Sequence, residues 1–128
     1  MALASSTLDM PGVLGAVNFS GATNFSDAES CTGGITSSCV EDAMKRAAGV
    51  YGGSNKRPVL WIYASNDNHS VTSVTGWFNE FETAGGRGSA FFTATYVQNG
   101  ESNGHGVINA PSYYLPELLA FFDEIGFN

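Results

Sequence analysis

The chain has 128 residues, 43% of them hydrophobic and only 13% charged, with a formal net charge of −7. This fits one globular domain, or part of one, able to bury a core. The sparse charge and 16 glycines predict large loops, or surface hidden against more protein. The negative balance argues against nucleic acid and anionic membranes as partners, and no apolar run approaches the ~20 residues of a membrane span.

Met1-Ala-Leu-Ala-Ser-Ser-Thr-Leu is too short, and lacks the basic flank, for a signal peptide; it reads as the end of a helix reaching Leu8. Met10-Pro11-Gly12 breaks that helix, and Val13–Phe19 reads as a strand apolar on both faces. A polar loop follows from Ala22 to Ser37 and holds Cys31; Cys39 comes just after it. The two are free thiols or a local disulfide, the second implying an oxidising compartment. No further Cys or His pair has zinc-ligand spacing.

Ser38 and Glu41 form a capping-box pattern, and Val40, Ala43, Met44, Ala47, Ala48 and Tyr51 then share one helical face up to Gly52-Gly53. Val59–Ala64 is a second fully apolar strand, typical of the middle of a parallel sheet. The polar run Ser65–Ser70 leads into a helix with Val71, Val74, Phe78 and Phe81 on one face, closing at Gly85-Gly86. Ala90–Val97 is the third strand, Gln98–Gly106 a polar loop, and a last helix with Pro116 in its first turn stops at Gly126. Alternating strands and helices predict an α/β fold: about three parallel strands with flanking helices. Asn18, Asn24 and Asn68 each begin an N-glycosylation pattern; at Asn18, inside a predicted strand, chance is the better reading.

Open parallel sheets bind ligands beyond the carboxyl ends of their strands. Asn66-Asp67 stands at such an end after the second strand, and Gly104-His105-Gly106 after the third. A carboxylate there can orient an imidazole and stabilise the imidazolium formed when it takes a proton from a nucleophile. Taken alone, Asp67 more often caps the next helix or braces its turn, and His105 is more often an ordinary loop histidine; their placement on consecutive strand ends lifts the functional reading above either alone. His69 is a weaker candidate for the base, because it is expected to point along the helix start. Asp67, His69 and His105 lack a fourth ligand for a metal. Phe25, Trp77, Tyr113 and Tyr114 are candidate pocket residues, although core packing explains Trp77 better.

Three stretches resemble the dienelactone hydrolase-like branch of the α/β-hydrolases: Val13–Gly21, "VLGAVNFSG"; Arg57–Asp67, "RPVLWIYASND"; and Asn103–Gly106, "NGHG". Ala64 stands where that family usually has a glycine. The resemblance spans nearly the whole chain and implies that residues 1–128 are the C-terminal portion of a partial α/β-hydrolase domain. It also implies that Asp67 is the acid and His105 the base. The family's G-x-S-x-G elbow would then lie about one helical turn upstream of Met1. Gly100-Glu-Ser-Asn-Gly104 matches that pattern literally, but no good helix start follows it, and Ser102 comes after the acid.

The expected function is the acid- and histidine-bearing part of a serine-type hydrolase of esters or related acyl compounds, inactive alone for want of a nucleophile. No cofactor is implied; the expected partners are a small-molecule ester and a missing N-terminal half or a second copy. The alternative is a non-catalytic half-domain that binds a ligand or associates with a partner. A small flavodoxin-like anion-binding domain is weaker, since no glycine-rich phosphate loop follows the first strand.

Overall fold

A computed structural model describes residues 2–21, 31–32, 37–97 and 103–127. The described elements are α1 (Ala2–Ser6), β1 (Ala16–Phe19), α2 (Ser38–Gly53), β2 (Val59–Ala64), α3 (Val71–Thr83), β3 (Gly88–Thr93), two 3₁₀ turns (Gly104–Asn109 and Pro111–Tyr113), and α4 (Leu115–Glu124). The strands form one parallel sheet in the order β1-β2-β3, so the α/β architecture follows the expected pattern. Among the described residues no helix is long and apolar enough to cross a membrane.

β2 lies in the middle, and all six of its residues are buried. Successive side chains point to opposite faces, which makes it the spine of two cores. Val59, Trp61 and Tyr63 pack against Leu3 of α1, Met44 and Ala48 of α2, and Val74, Trp77 and Phe81 of α3. Leu60, Ile62 and Ala64 pack on the other face against Tyr96, Val107, Ala110, Tyr114 and Phe121. Three helices therefore lie on one face, and α4 with the 3₁₀ turns on the other.

Several boundaries differ from those the sequence predicts. β1 is shorter than Val13–Phe19, since its pairing with β2 covers only Ala16 to Phe19. β3 starts two residues earlier than Ala90 and ends at Thr93, opposite Ala64. β2 has no residue beyond Ala64 to pair with the expected continuation to Val97; there the Asn66 side chain holds the backbone of Tyr96 instead. The cap of α2 is Ser37, not Ser38: its hydroxyl accepts from the Val40 N–H at 3.4 Å. Glu41 accepts a hydrogen bond from Ser73 Oγ at 2.5 Å, tying the start of α2 to the start of α3. The end of the histidine loop is a 3₁₀ helix, capped by the Asn103 side chain.

Cys31 and Cys39 are joined in a disulfide, with Cα atoms 5.7 Å apart. This selects the bridged alternative over two free thiols.

Candidate functional site

The carboxyl end of β2 builds one half of the site. A turn closes there when the Asp67 N–H donates to Ala64 O at 3.0 Å. Asp67 Oδ1 accepts from the His69 N–H at 3.0 Å, so the carboxylate braces the turn, as its bland reading requires. The cap of α3 is Ser70, whose Oγ accepts from the Ser73 N–H.

The other half comes from the loop after β3. Asn66 clips that loop with two bonds: Nδ2 donates to Tyr96 O at 3.0 Å, and Oδ1 accepts from Tyr96 N at 2.9 Å. Gly104 then lies directly on the turn, its N–H donating to Asn66 O at 3.1 Å. A Cβ at position 104 would stand 2.6 Å from Asp67 N, 2.7 Å from the Ala64 Cβ and 2.8 Å from Asn66 C, so only glycine fits. Asn103 Oδ1 accepts from the His105 N–H at 3.0 Å and fixes the start of the next turn.

These contacts bring Asp67 and His105 together. His105 Nδ1 lies 3.5 Å from Asp67 Oδ1; the carboxylate is fully buried, and the imidazole is 51% exposed. The separation exceeds the ~2.7–2.9 Å of a tight charge-assisted bond, so the two groups are in ion-pair range and not tightly bonded. Asp67 Oδ2 is buried with no hydrogen-bond partner among the described residues. With Nδ1 turned to the carboxylate, Nε2 on the opposite side of the ring is the nitrogen left for chemistry.

His69 packs against the helix that follows it. It is buried, with its ring edge-on to Trp77 at a centroid distance of 5.0 Å. Burial pushes its pKa below the usual imidazole value; the Asp67 carboxylate opposes that, the nearby His105 adds to it, and Glu41 opposes it. A buried neutral imidazole suits a packed wall better than a proton shuttle. Among the described residues no group of three or more His, Cys, Asp or Glu side chains could hold a metal.

The remaining sequence candidates fall elsewhere. Trp77 is core, as its helical position implies. Tyr114 is also buried, with its hydroxyl donating to Ile108 O at 2.9 Å and its ring against Phe19. Tyr113 stacks edge-on with Tyr96. Phe25, Asn24 and Ser102, with most of the G-x-S-x-G match, lie outside the described residues. Asn18 is buried and donates to the Tyr63 hydroxyl at 3.1 Å, while Asn68 is exposed.

Sequence reasoning did not single out Asn66 and Gly104 as the parts that assemble the site, although both stand inside the motifs it used. It also gave no weight to Ser20. That residue ends β1 with φ 43°, alone among the described non-glycine residues in having a positive φ, and its Oγ is buried without a partner.

Comparison with known protein families, with curated proteins and with solved structures found no match.

Proposed function

We propose that Asp67 and His105 are the acid and the general base of a serine-type hydrolase acting on esters or related acyl compounds, as in the dienelactone hydrolase-like α/β-hydrolases that the sequence motifs resemble. The observation that carries this reading is the Nδ1–Oδ1 approach of 3.5 Å between a buried carboxylate and a half-exposed imidazole. The two sit on consecutive strand ends, acid first, as in that family.

In the proposed reaction a hydroxyl attacks the acyl carbon while His105 Nε2 takes its proton. Asp67 stabilises the resulting imidazolium through Nδ1–H. The tetrahedral intermediate collapses, and the leaving alcohol takes the proton from Nε2. Water then repeats the sequence on the acyl-enzyme and releases the acid. Backbone N–H groups beside the nucleophile hold the oxyanion.

The nucleophile in this proposal comes from a strand lying parallel to β1 at its free edge. Topology supports that position. The crossovers through α2 and α3 each move the chain one strand along the sheet, with both helices on the face where α1 also packs. Right-handed crossovers are nearly universal. A strand that led into α1 on that same face would therefore lie beside β1, with its carboxyl tip at the edge that carries Asp67 and His105.

The test supplies the hydroxyl from outside. Release of chromophore from an activated acetate ester is followed with and without added ethanol. The chain alone is expected to turn over slowly. Ethanol should raise the rate, the increment vanishing in His105→Ala and shrinking in Asp67→Asn; a positioned general base is worth roughly 10²–10⁴-fold at best. An increment unchanged by His105→Ala overturns the reading. Robust turnover without ethanol, lost on Ser102→Ala, assigns the nucleophile to Ser102 instead.

A second reading, a non-catalytic half-domain that associates with a partner, is favoured by the edge of β1, unpaired among the described residues, and by the exposure of Ile108, Leu115 and Leu119. Light scattering separates the two: that reading predicts association, with the ethanol increment absent.

A further inference from the structure

At the opposite end of the sheet from Asp67 and His105, we propose, the cleft below β2 and β3 binds a small molecule bearing an oxyanion, either phosphate or carboxylate. The chain has 5 basic residues against 12 acidic ones. Lys56, Arg57 and Arg87 line this one cleft of about 270 Å³, together with Leu14, Ile125 and Glu124. A positive concavity on a strongly negative protein focuses its field on anions.

The cations are held in place by the fold. Asn55 joins the two segments that carry them: its Nδ2 donates to Arg57 O at 2.8 Å, and its Oδ1 accepts from the Arg87 N–H at 3.1 Å. The backbone N–H groups of Lys56 and Arg57 both donate to Ser6 O. Asp9 Oδ1 takes one corner of the Arg57 guanidinium, Nη2, at 2.8 Å. The Arg57 side chain lines the cleft and is 32% exposed, while its Nε is buried without an acceptor among the described residues and out of a ligand's reach. The side chains of Lys56 and Arg87 form no ion pair among the described residues. Glu124 lines the same cleft. Glu124 and Asp9 against Lys56, Arg57 and Arg87 leave an excess of one positive charge.

An oxyanion fits this donor set, because guanidinium groups pair with phosphate and carboxylate oxygens alike. Leu14 and Ile125 give the cleft an apolar wall, which suits an anion attached to a small organic body. The site is independent of the hydrolase reading.

The test is a ¹⁵N NMR titration at constant ionic strength, with chloride as reference. Inorganic phosphate in one arm and acetate in the other are expected to shift the amides of Lys56, Arg57, Arg87 and Gly88 saturably, and the arm with the lower midpoint names the preferred headgroup. The double variant Lys56→Gln/Arg87→Gln should weaken binding by about tenfold or more. Lys45→Gln, remote from the cleft, should leave it intact. Each single variant is titrated as well, so that loss of fold in the double variant does not decide the result. Three outcomes overturn the proposal: shifts equal to those in chloride, shifts that survive both single substitutions, and a fall in melting temperature on Arg87→Gln with no phosphate or acetate response in the parent protein. The last would assign the cations to the end of α4.

Discussion

Gly104→Ala tests whether close backbone approach, rather than loop sequence, joins His105 to Asp67. The added Cβ would meet Asp67 N at 2.6 Å and Asn66 C at 2.8 Å, both backbone atoms, and the Ala64 methyl at 2.7 Å. None of these can swing aside. Restoring ordinary contact, which begins at 3.4 Å, requires the loop to retreat by about 0.8 Å from Asp67 N. That retreat would stretch the Gly104 N–H bond to Asn66 O, now 3.1 Å, beyond hydrogen-bonding range. It would also carry His105 Nδ1 from 3.5 Å to more than 4 Å from the carboxylate. Overpacking of this kind costs about 1–3 kcal/mol, or roughly 4–12 °C in melting temperature for a domain of this size. Gly106→Ala is the matched control, since the atoms nearest its Cβ would be those of the Tyr96 side chain, at 3.4 Å or more. Calorimetry of the two variants reads the difference, and a double-mutant cycle between Asp67→Asn and His105→Gln reads the coupling, which the Gly104→Ala background should abolish. Equal melting temperatures for the two glycine variants, with the coupling intact in both, would refute the reasoning.

Three further predictions concern stability. Burial lowers the pKa of His69, so the folded protein binds that proton less readily than the unfolded chain, whose histidine titrates near ~6.5. Stability is therefore full above about pH 6.5 and falls as the pH drops through the lowered folded value. Denaturant midpoints between pH 7 and 5 should show this slope, and His69→Gln should flatten it; the same slope in the variant would assign it to other groups. Reduction of the Cys31–Cys39 bridge, with its sequence separation of 8, should cost about 2–3 kcal/mol by loop entropy, seen as a lower urea midpoint with a reductant present. Ser20→Gly should raise the melting temperature, against the usual rule for glycine. It removes a positive-φ penalty of about 1–2 kcal/mol and a buried hydroxyl without a partner; a lower melting temperature would show that the Ser20 side chain has a stabilising contact.

How much of this could be read from sequence depends on how local each cause is. Val59–Ala64 is a strand to the residue, because six apolar side chains stand between a proline turn and a polar run. β3 was displaced because its limits are set by its partner, and Thr93 is the last residue with anything to pair with. The capping serine moved by one residue because Ser37 and Ser38 are chemically equal candidates, and Glu41 had a better partner on another helix. The Asp67 and His105 strand ends were legible from element order alone. Their approach was not: it depends on Gly104 fitting against Ala64 and on Asn66 reaching Tyr96, contacts between segments about thirty or more residues apart in the chain. The basic cleft was equally hidden, since Arg87 lies far from Lys56 and Arg57 in sequence and Asn55 brings them together only in the fold.

The costs this fold tolerates are unevenly placed. Among the described residues four buried side-chain atoms lack a hydrogen-bond partner: Ser20 Oγ, Arg57 Nε, Trp61 Nε1 and Asp67 Oδ2. Trp61 is tightly surrounded by the rings of Phe78 and Phe81, so its orphan N–H accompanies dense aromatic packing. The others stand at the two ends of the sheet, Ser20 and Asp67 at the carboxyl edge and Arg57 in the basic cleft. The carboxyl edge also holds the one strained non-glycine φ and the buried, hard-to-protonate His69. A packed domain violates local rules where something other than packing sets the residue. The carboxylate is the sharpest case. An asparagine could accept the His69 N–H with its side-chain oxygen and brace the same turn without burying a charge. What asparagine cannot do is hold a positive imidazole. The proposed acid role of Asp67 would account for a carboxyl group kept at this position with one oxygen lacking a partner among the described residues.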